Sequence, residues 1–296
     1  MEMQRIDFRD QISGNKWRSF FLMSLIFAII VLFGYVVSFA FSPGYFFFIM
    51  IISIIFSLGY ILISYYKSDK IAIASVNAKE ATREKYRQYY NSVEGLTIAS
   101  GLPMPKLYIM QSEQINAFAS GRDPKHAVVC VTTGALEKLS KQELEGVLAH
   151  ELSHISNYDI RYMTLATVMV GMIAIISEIF LRSMWFSSGN DNDNRGNVIF
   201  IIIGIALAIL APIAVQLVQL AISRKREFAA DASAVKFTRY PPGLTGALKK
   251  IKKENEPEKK INKAMAPLFF ANPFNFRELT STHPSIDKRI ETLERM

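Results

Sequence analysis

Four long apolar segments, set in two pairs around a polar middle, constrain this chain more than any other feature. Residues 20–41 and 45–64 carry no charged side chain. Each is long enough to cross a hydrocarbon core, which takes about 20 helical residues. The first exceeds a signal-peptide core of about 7–15 residues, and no small-residue cleavage site follows it. Ser42-Pro43-Gly44 makes a tight turn between the two, so they read as a transmembrane hairpin. Residues 164–181 are apolar except for Glu178, and residues 198–222 carry only Pro212, Gln216 and Gln219 as interruptions. The polar run SSGNDNDNRGN separates them, as a loop between two further spans. Buried helices of a soluble core are the alternative for each pair. Glu178 lends that alternative more weight in the second pair than in the first. Close to Leu181, Glu178 reads as an interfacial or hairpin-paired carboxylate rather than a functional one.

Lysine and arginine beside the spans set their orientation. Arg5, Arg9, Lys16 and Arg18 precede the first span, and Arg224, Lys225 and Arg226 follow the last. A dense basic stretch from Lys67 to Arg87 follows the second, whereas the turns on the other side hold little beyond Arg182 and Arg195. The expectation is a multi-pass cell-membrane protein with both termini and its central region cytoplasmic. Its parts are a cytoplasmic N-terminal segment (1–19), a hairpin (20–64), a first cytoplasmic part (65–163), a second hairpin (164–222) and a second cytoplasmic part (223–296). The net charge of +8 then suits an anionic bilayer surface. No basic stripe interleaved with aromatics points to nucleic acid. The single cysteine, Cys130, excludes an internal disulfide and, inside an apolar strand, reads as core.

Within the cytoplasmic parts, residues 67–98 read as one charged helix. Residues 106–110, 116–120 and 127–133 are short and β-prone, with turn residues between them. Ser140 and Glu143 have the spacing of a capping box, opening a helix that runs to about Asn157. His126 falls in a polar turn. Residues 249–263, KKIKKENEPEKKINK, read as a solvated linker.

The chemistry concentrates in the helix opened by Ser140, which contains HELSH. His150 and His154 are one turn apart on one face, the separation at which two imidazoles reach one Zn²⁺. Glu151 lies beside them, placed to take a proton from a bound water. Leu144, Val147, Leu148, Leu152 and Ile155 form the stripe that would bury this helix. A catalytic zinc needs a third protein ligand and an open position. His283 is one candidate. Glu227, in SRKREFAADA, is the other, with Asp231 one turn on, placed to orient a ligand such as His150. Spacing alone leaves Glu227 equally able to pair with Arg224 or Arg226 on a solvated face.

HELSH, the hairpin after it, RKREFAADA, INAFASG and THP near the C-terminus together resemble the HtpX family of membrane-bound heat-shock metalloproteases. These are gluzincins related to the CAAX prenyl endopeptidases. The resemblance spans essentially the whole chain. It implies an α+β, mainly helical, zincin-like domain on four transmembrane helices. It also implies Glu227 as third zinc ligand, Asp231 as its companion, and Asn116, Ala117 and Phe118 on an edge strand that binds substrate by strand addition. The implied activity is a zinc endopeptidase that cleaves misfolded or damaged membrane proteins, in quality control and stress response.

One Zn²⁺ held by His150, His154 and Glu227 would activate water, with Glu151 moving the proton. His283, at the head of a helix with Pro284 behind it, is a candidate donor to the oxyanion. A capping or packing role is the equal alternative. Arg289 reads as structural. Other classes fit less well. A structural zinc site in a transporter would be closed and Cys-rich. An intramembrane protease would bury HExxH in a span, and KLSKQELEGVLAHELSHISNYD is too polar for that. A membrane desaturase needs more than the 4 histidines present. An inactive zinc-binding scaffold has no use for Glu151.

Overall fold

The computed structural model describes residues 8–38, 43–168, 224–254, 268–273 and 284–296. The second apolar pair beyond Val168, with Glu178, lies outside the described residues. The described part is mostly helical with one small sheet. Helix α1 (Phe8–Ser38) and helix α2 (Phe46–Tyr66) form an antiparallel pair. The apolar stretches Ile12–Tyr35 and Pro43–Tyr66 are, among the described residues, the two long and apolar enough to cross a membrane. Their large side chains face outward, as lipid-facing residues do: Phe21, Phe47, Phe48 and Ile55 are all exposed. The two helices approach closely where Gly34 meets Ser53, and any Cβ at position 34 would overlap that serine. Helix α1 starts ahead of the apolar run, so residues 8–19, set apart in sequence as a separate segment, are its first turns.

Residues 67–98 are not one helix. Helix α3 (Ser68–Ser75) ends where Asn77 takes a left-handed conformation, φ 52°. Asparagine tolerates that conformation better than most residues, and it stops the helix. Strand β1 (Lys79–Glu80) and helix α4 (Arg87–Ser100) follow. Strands β2 (Lys106–Met110), β3 (Ala117–Gly121) and β4 (Ala127–Thr132) complete a sheet of order β1-β2-β4-β3. β2 and β4 are parallel, β4 and β3 antiparallel, which leaves β3 on the edge beside the site. The strand pleat sorts side chains by parity. Ala127, Val129 and Val131 enter the main core, and Val128 and Cys130 enter a smaller cluster on the other face. Burial there pushes the Cys130 thiol pKa up, as befits an inert core residue. His126 ends an exposed turn, with its ring on Asp123.

Helices α5 (Thr133–Lys138) and α6 (Lys141–Ser156) come next. The capping box at Ser140 is formed in both directions. Residues 159–168, here α7, are helical and lead toward the third apolar segment. Tyr162, Leu165 and Ala166 pack with Leu22 and Ile26 of α1 and Tyr60 of α2. The chain leaving α6 is thereby clamped to the first hairpin. Helix α8 (Arg224–Thr238) and helix α9 (Pro241–Glu254) pack on α6, and helix α10 (Ile286–Leu293) closes the core. The basic run from Lys249 begins inside α9 rather than in a linker. Leu244, Leu248 and Ile251 recur at helical spacing and are fully buried, while the lysines between them face acids such as Glu143 and Glu294.

α6 and α9 cross at paired glycines. A Cβ on Gly146 would stand 2.6 Å from the Leu244 nitrogen, and one on Gly243 would stand 2.5 Å from the Gln142 carbonyl oxygen. Neither contact can yield without backbone movement. Gly146→Ala should therefore destabilise the protein by about 1–3 kcal/mol, the usual cost of overpacking. Denaturant unfolding in detergent reads this, and an unchanged midpoint would contradict the crossing.

Candidate metal centre

α6 and α8 carry the site from opposite sides. α6 buries its apolar stripe under the sheet, which turns His150, Glu151 and His154 toward α8. α8 brings Glu227 to the same point. The His150 and His154 Nε2 atoms are 3.1 Å apart, and the Glu227 carboxylate lies 3.6 Å from each. One ligand-type atom from each of the three falls within 4.8 Å of the others, and all three residues are buried.

The outer nitrogens decide what the inner ones can do. His150 Nδ1 is 2.9 Å from Asp231 Oδ1, and His154 Nδ1 is 3.1 Å from Asp159 Oδ2. An ionised carboxylate only accepts, so each Nδ1 carries the proton and donates it. A bound cation would meet the lone pairs of both Nε2 atoms beside the Glu227 carboxylate. Three acceptors converging in a buried space need a cation among them. Ligands about 2.0–2.1 Å from a tetrahedral ion stand roughly 3.3 Å from one another, and the observed separations straddle that value. The field agrees. Burial alone would lower the His154 pKa, but the hydrogen bond to Asp159 and the charge of Glu227 outweigh it and hold it up at about 9. The residues present fit a divalent metal of the kind bound by imidazole and carboxylate.

Asp231 is itself held by a guanidinium fork. Arg289 Nη2 lies 2.7 Å from Oδ1 and Nε 2.9 Å from Oδ2. Burial would raise the Asp231 pKa, yet Arg289 and the His150 hydrogen bond bring it below the usual carboxylate range. Arg289 is 1% exposed and stacks on the Phe270 ring, 4.4 Å from guanidinium carbon to centroid. The same ring meets His150 edge to face at 4.9 Å. Glu151 is buried beside the two histidines. Desolvation raises its pKa against the pull of the histidines, and the Ala119 backbone N–H of β3 hydrogen-bonds its carboxylate.

The structure thus gathers His150, Glu151, His154, Glu227 and Asp231 in one place. Asn116, Ala117 and Phe118 stand next to it but are engaged with residues 268–273. The Asn116 amide donates to the Ala271 carbonyl at 2.8 Å and accepts from the Ala271 N–H at 3.1 Å. The Phe270 N–H donates to the Ala117 carbonyl at 2.8 Å, and Phe118 packs on Phe269 across the sheet from the site. His283 lies outside the described residues. Asp159, Phe270 and Asn15 join the site although no motif in the sequence marks them. Asp159 had a signal, a carboxylate just past the end of the ligand helix. The other two had none, because their partners are far away along the chain.

Arg289 is a structural residue with a site-bearing consequence. Arg289→Met would leave Asp231 buried and unpaired, which costs about 3–5 kcal/mol. Arg289→Met combined with Asp231→Leu should recover much of that loss. Thermal unfolding of the detergent-solubilised variants checks both, and a single variant as stable as the parent would contradict the pairing.

Residues 83–296 match the family described as Peptidase family M48. The Protease HtpX homolog of Caldanaerobacter subterraneus subsp. tengcongensis is 43% identical over 298 residues, covering 96% of this chain and 96% of its own. Its namesake in Dictyoglomus turgidum is 42% identical over 297 residues, covering 99% of this chain and 96% of its own. The crystal structure of S. mikatae Ste24p aligns with 96% of this chain and 66% of its own length, at 18% identity and a TM-score of 0.49. With the family match covering both metal-site helices and the relatives running the length of the chain, this protein belongs to peptidase family M48, among the HtpX proteases, and is a membrane-associated metallopeptidase.

Proposed function

We propose that the protein is a zinc endopeptidase of the cell membrane that cleaves misfolded or damaged membrane proteins at the cytoplasmic face. The observation that carries this reading is the convergence of two imidazole lone pairs and a carboxylate in a buried site. Each imidazole is backed by an acid, and a further carboxylate, Glu151, stands beside them. His150, His154 and Glu227 would hold the ion. An imidazole-and-carboxylate set with no thiolate suits a catalytic zinc rather than a structural one. Bound there, zinc would polarise the scissile carbonyl and bring the pKa of its water toward neutrality.

The chain's own residues supply the rest. Glu151 takes the proton of the attacking water and delivers it to the leaving amine. Asp231 and Asp159 keep the imidazoles in the tautomer whose Nε2 faces the ion. His283 is the candidate donor to the oxyanion. Asn116, Ala117 and Phe118 belong to the edge that guides an extended substrate. Pairing there has to release the Phe270 N–H from Ala117 and the Ala119 N–H from Glu151.

Placement supports membrane substrates. α7 leaves the ligand helix and packs directly on the apolar pair α1 and α2. Glu227 sits at the start of α8, a few residues past the fourth apolar segment. The basic flanks support a cytoplasmic position for this end of the spans. A protease so placed meets loops and frayed ends of membrane proteins as they emerge.

Glu151→Gln keeps the shape and the ligands and removes the base. It should retain zinc and lose nearly all cleavage of casein or a model membrane protein. Activity at the parent rate would sink the mechanism. His150→Ala, His154→Ala and Glu227→Ala should each empty the site in metal analysis of the purified protein. Full occupancy in Glu227→Ala would move the third-ligand role elsewhere, with His283 next.

A further inference from the structure

Asn15 is a polar residue in the first membrane-associated helix, yet it is only 2% exposed. Its side-chain nitrogen lies 2.7 Å from Asp159 Oδ1 and 3.0 Å from the Asn157 carbonyl oxygen. Both partners only accept, so the amide NH₂ points at them and uses both its protons. The Asn157 carbonyl belongs to the end of α6, where helix carbonyls lack partners of their own. Asp159 spends its other oxygen, Oδ2, on His154 Nδ1. The remaining cation near Oδ1, Arg226 Nη1, stands off at 3.6 Å. Asn15 therefore makes the shortest polar contact to Asp159, and it comes from an element separated by most of the N-terminal half of the chain.

The geometry points to Asn15 as a positioning residue for the metal centre, which couples the first membrane helix to His154 through Asp159. The inference rests on the ligand reading above. Two roles combine in one amide. It holds the carboxylate rotamer that fixes the tautomer and ring plane of His154, and it ties the end of the ligand helix to α1. The cluster of Leu22, Ile26 and Tyr60 with Tyr162, Leu165 and Ala166 continues the same contact about two to three turns farther along α1, so the amide is held in place. On this account α1 is part of the active site's outer support as well as an anchor. Any movement of α1 along its axis reaches the metal ligand through two hydrogen bonds.

The test is metal affinity in the full-length protein in detergent, measured by competition of Zn²⁺ against a chromophoric chelator. It is paired with the visible absorption of the Co²⁺-substituted protein, which reports ligand geometry without turnover. Asn15→Leu removes both donors and excludes a replacing water. Asn15→Ala removes them while favouring the helix, and gives the same reading if leucine hampers insertion. Affinity should fall about 10–100-fold in each, the usual consequence of losing an outer partner of a ligand, and the Co²⁺ spectrum should shift. Asp159→Asn should do the same, and adding Asn15→Ala to it should cost little more, because the two act in series. Trp17→Ala, on the exposed side of the same helix, should leave affinity unchanged. Parent affinity and an unshifted spectrum in the Asn15 variants, with His154→Ala emptied, would overturn the coupling and spare the ligand assignment. Full additivity of Asn15→Ala and Asp159→Asn would overturn it as well. Full occupancy in His154→Ala would instead overturn the ligand assignment itself.

Discussion

Two imidazole nitrogens 3.1 Å apart, both turned inward toward Glu227, set the terms for everything around them. That arrangement is unstable without a cation, and it persists only if each ring is prevented from turning its N–H inward. Asp231 and Asp159 prevent it by accepting from the two Nδ1 atoms. Each of those carboxylates is then a buried charge that needs its own compensation. Arg289 meets Asp231 with a two-point fork, and Asn15, with Arg226 farther off, meets Asp159. The demand of one ion pocket thus propagates outward through two shells until it reaches α10 on one side and α1 on the other.

This explains why elements from both ends of the chain must be present for a site built mainly on α6. α10 supplies Arg289, segment 268–273 supplies the Phe270 ring against which both Arg289 and His150 rest, and α1 supplies Asn15. The α6–α9 crossing at Gly146 and Gly243 brings the helix backbones close enough for α9 to seal the core beneath the site. Burial of Glu151 is a product of the same packing. Its raised proton affinity follows from desolvation, which the neighbouring histidines only partly offset.

β3 is the strand that lies against the helix carrying the two histidines. It is the edge of the sheet, and its outward backbone groups at Ala117 and Ala119 already have partners in Phe270 and Glu151. An exposed edge strand invites uncontrolled pairing. Here the groups that cover the edge belong to the site itself.

Elements whose signal is local are legible in the chain's own pattern. The apolar runs that became α1 and α2 are read within about two dozen residues, and the capping box at Ser140, the i and i+4 spacing of His150 and His154, and the three β-prone runs within far fewer. Glu227 and Asp231 were legible as a pair one turn apart, though only the resemblance singled out Glu227 as a ligand. Contacts between distant segments settled the rest. They broke residues 67–98 at Asn77 and paired β1 with β2. They drew Lys249 to Glu254 into a helix through the burial of Ile251, and they brought Arg289, Phe270, Asp159 and Asn15 around the histidines. Side-chain periodicity reports which face of an element is buried but not what it is buried against. The partner of Asn15 is set by how α7 folds back onto α1, and no pattern within either segment encodes that distance.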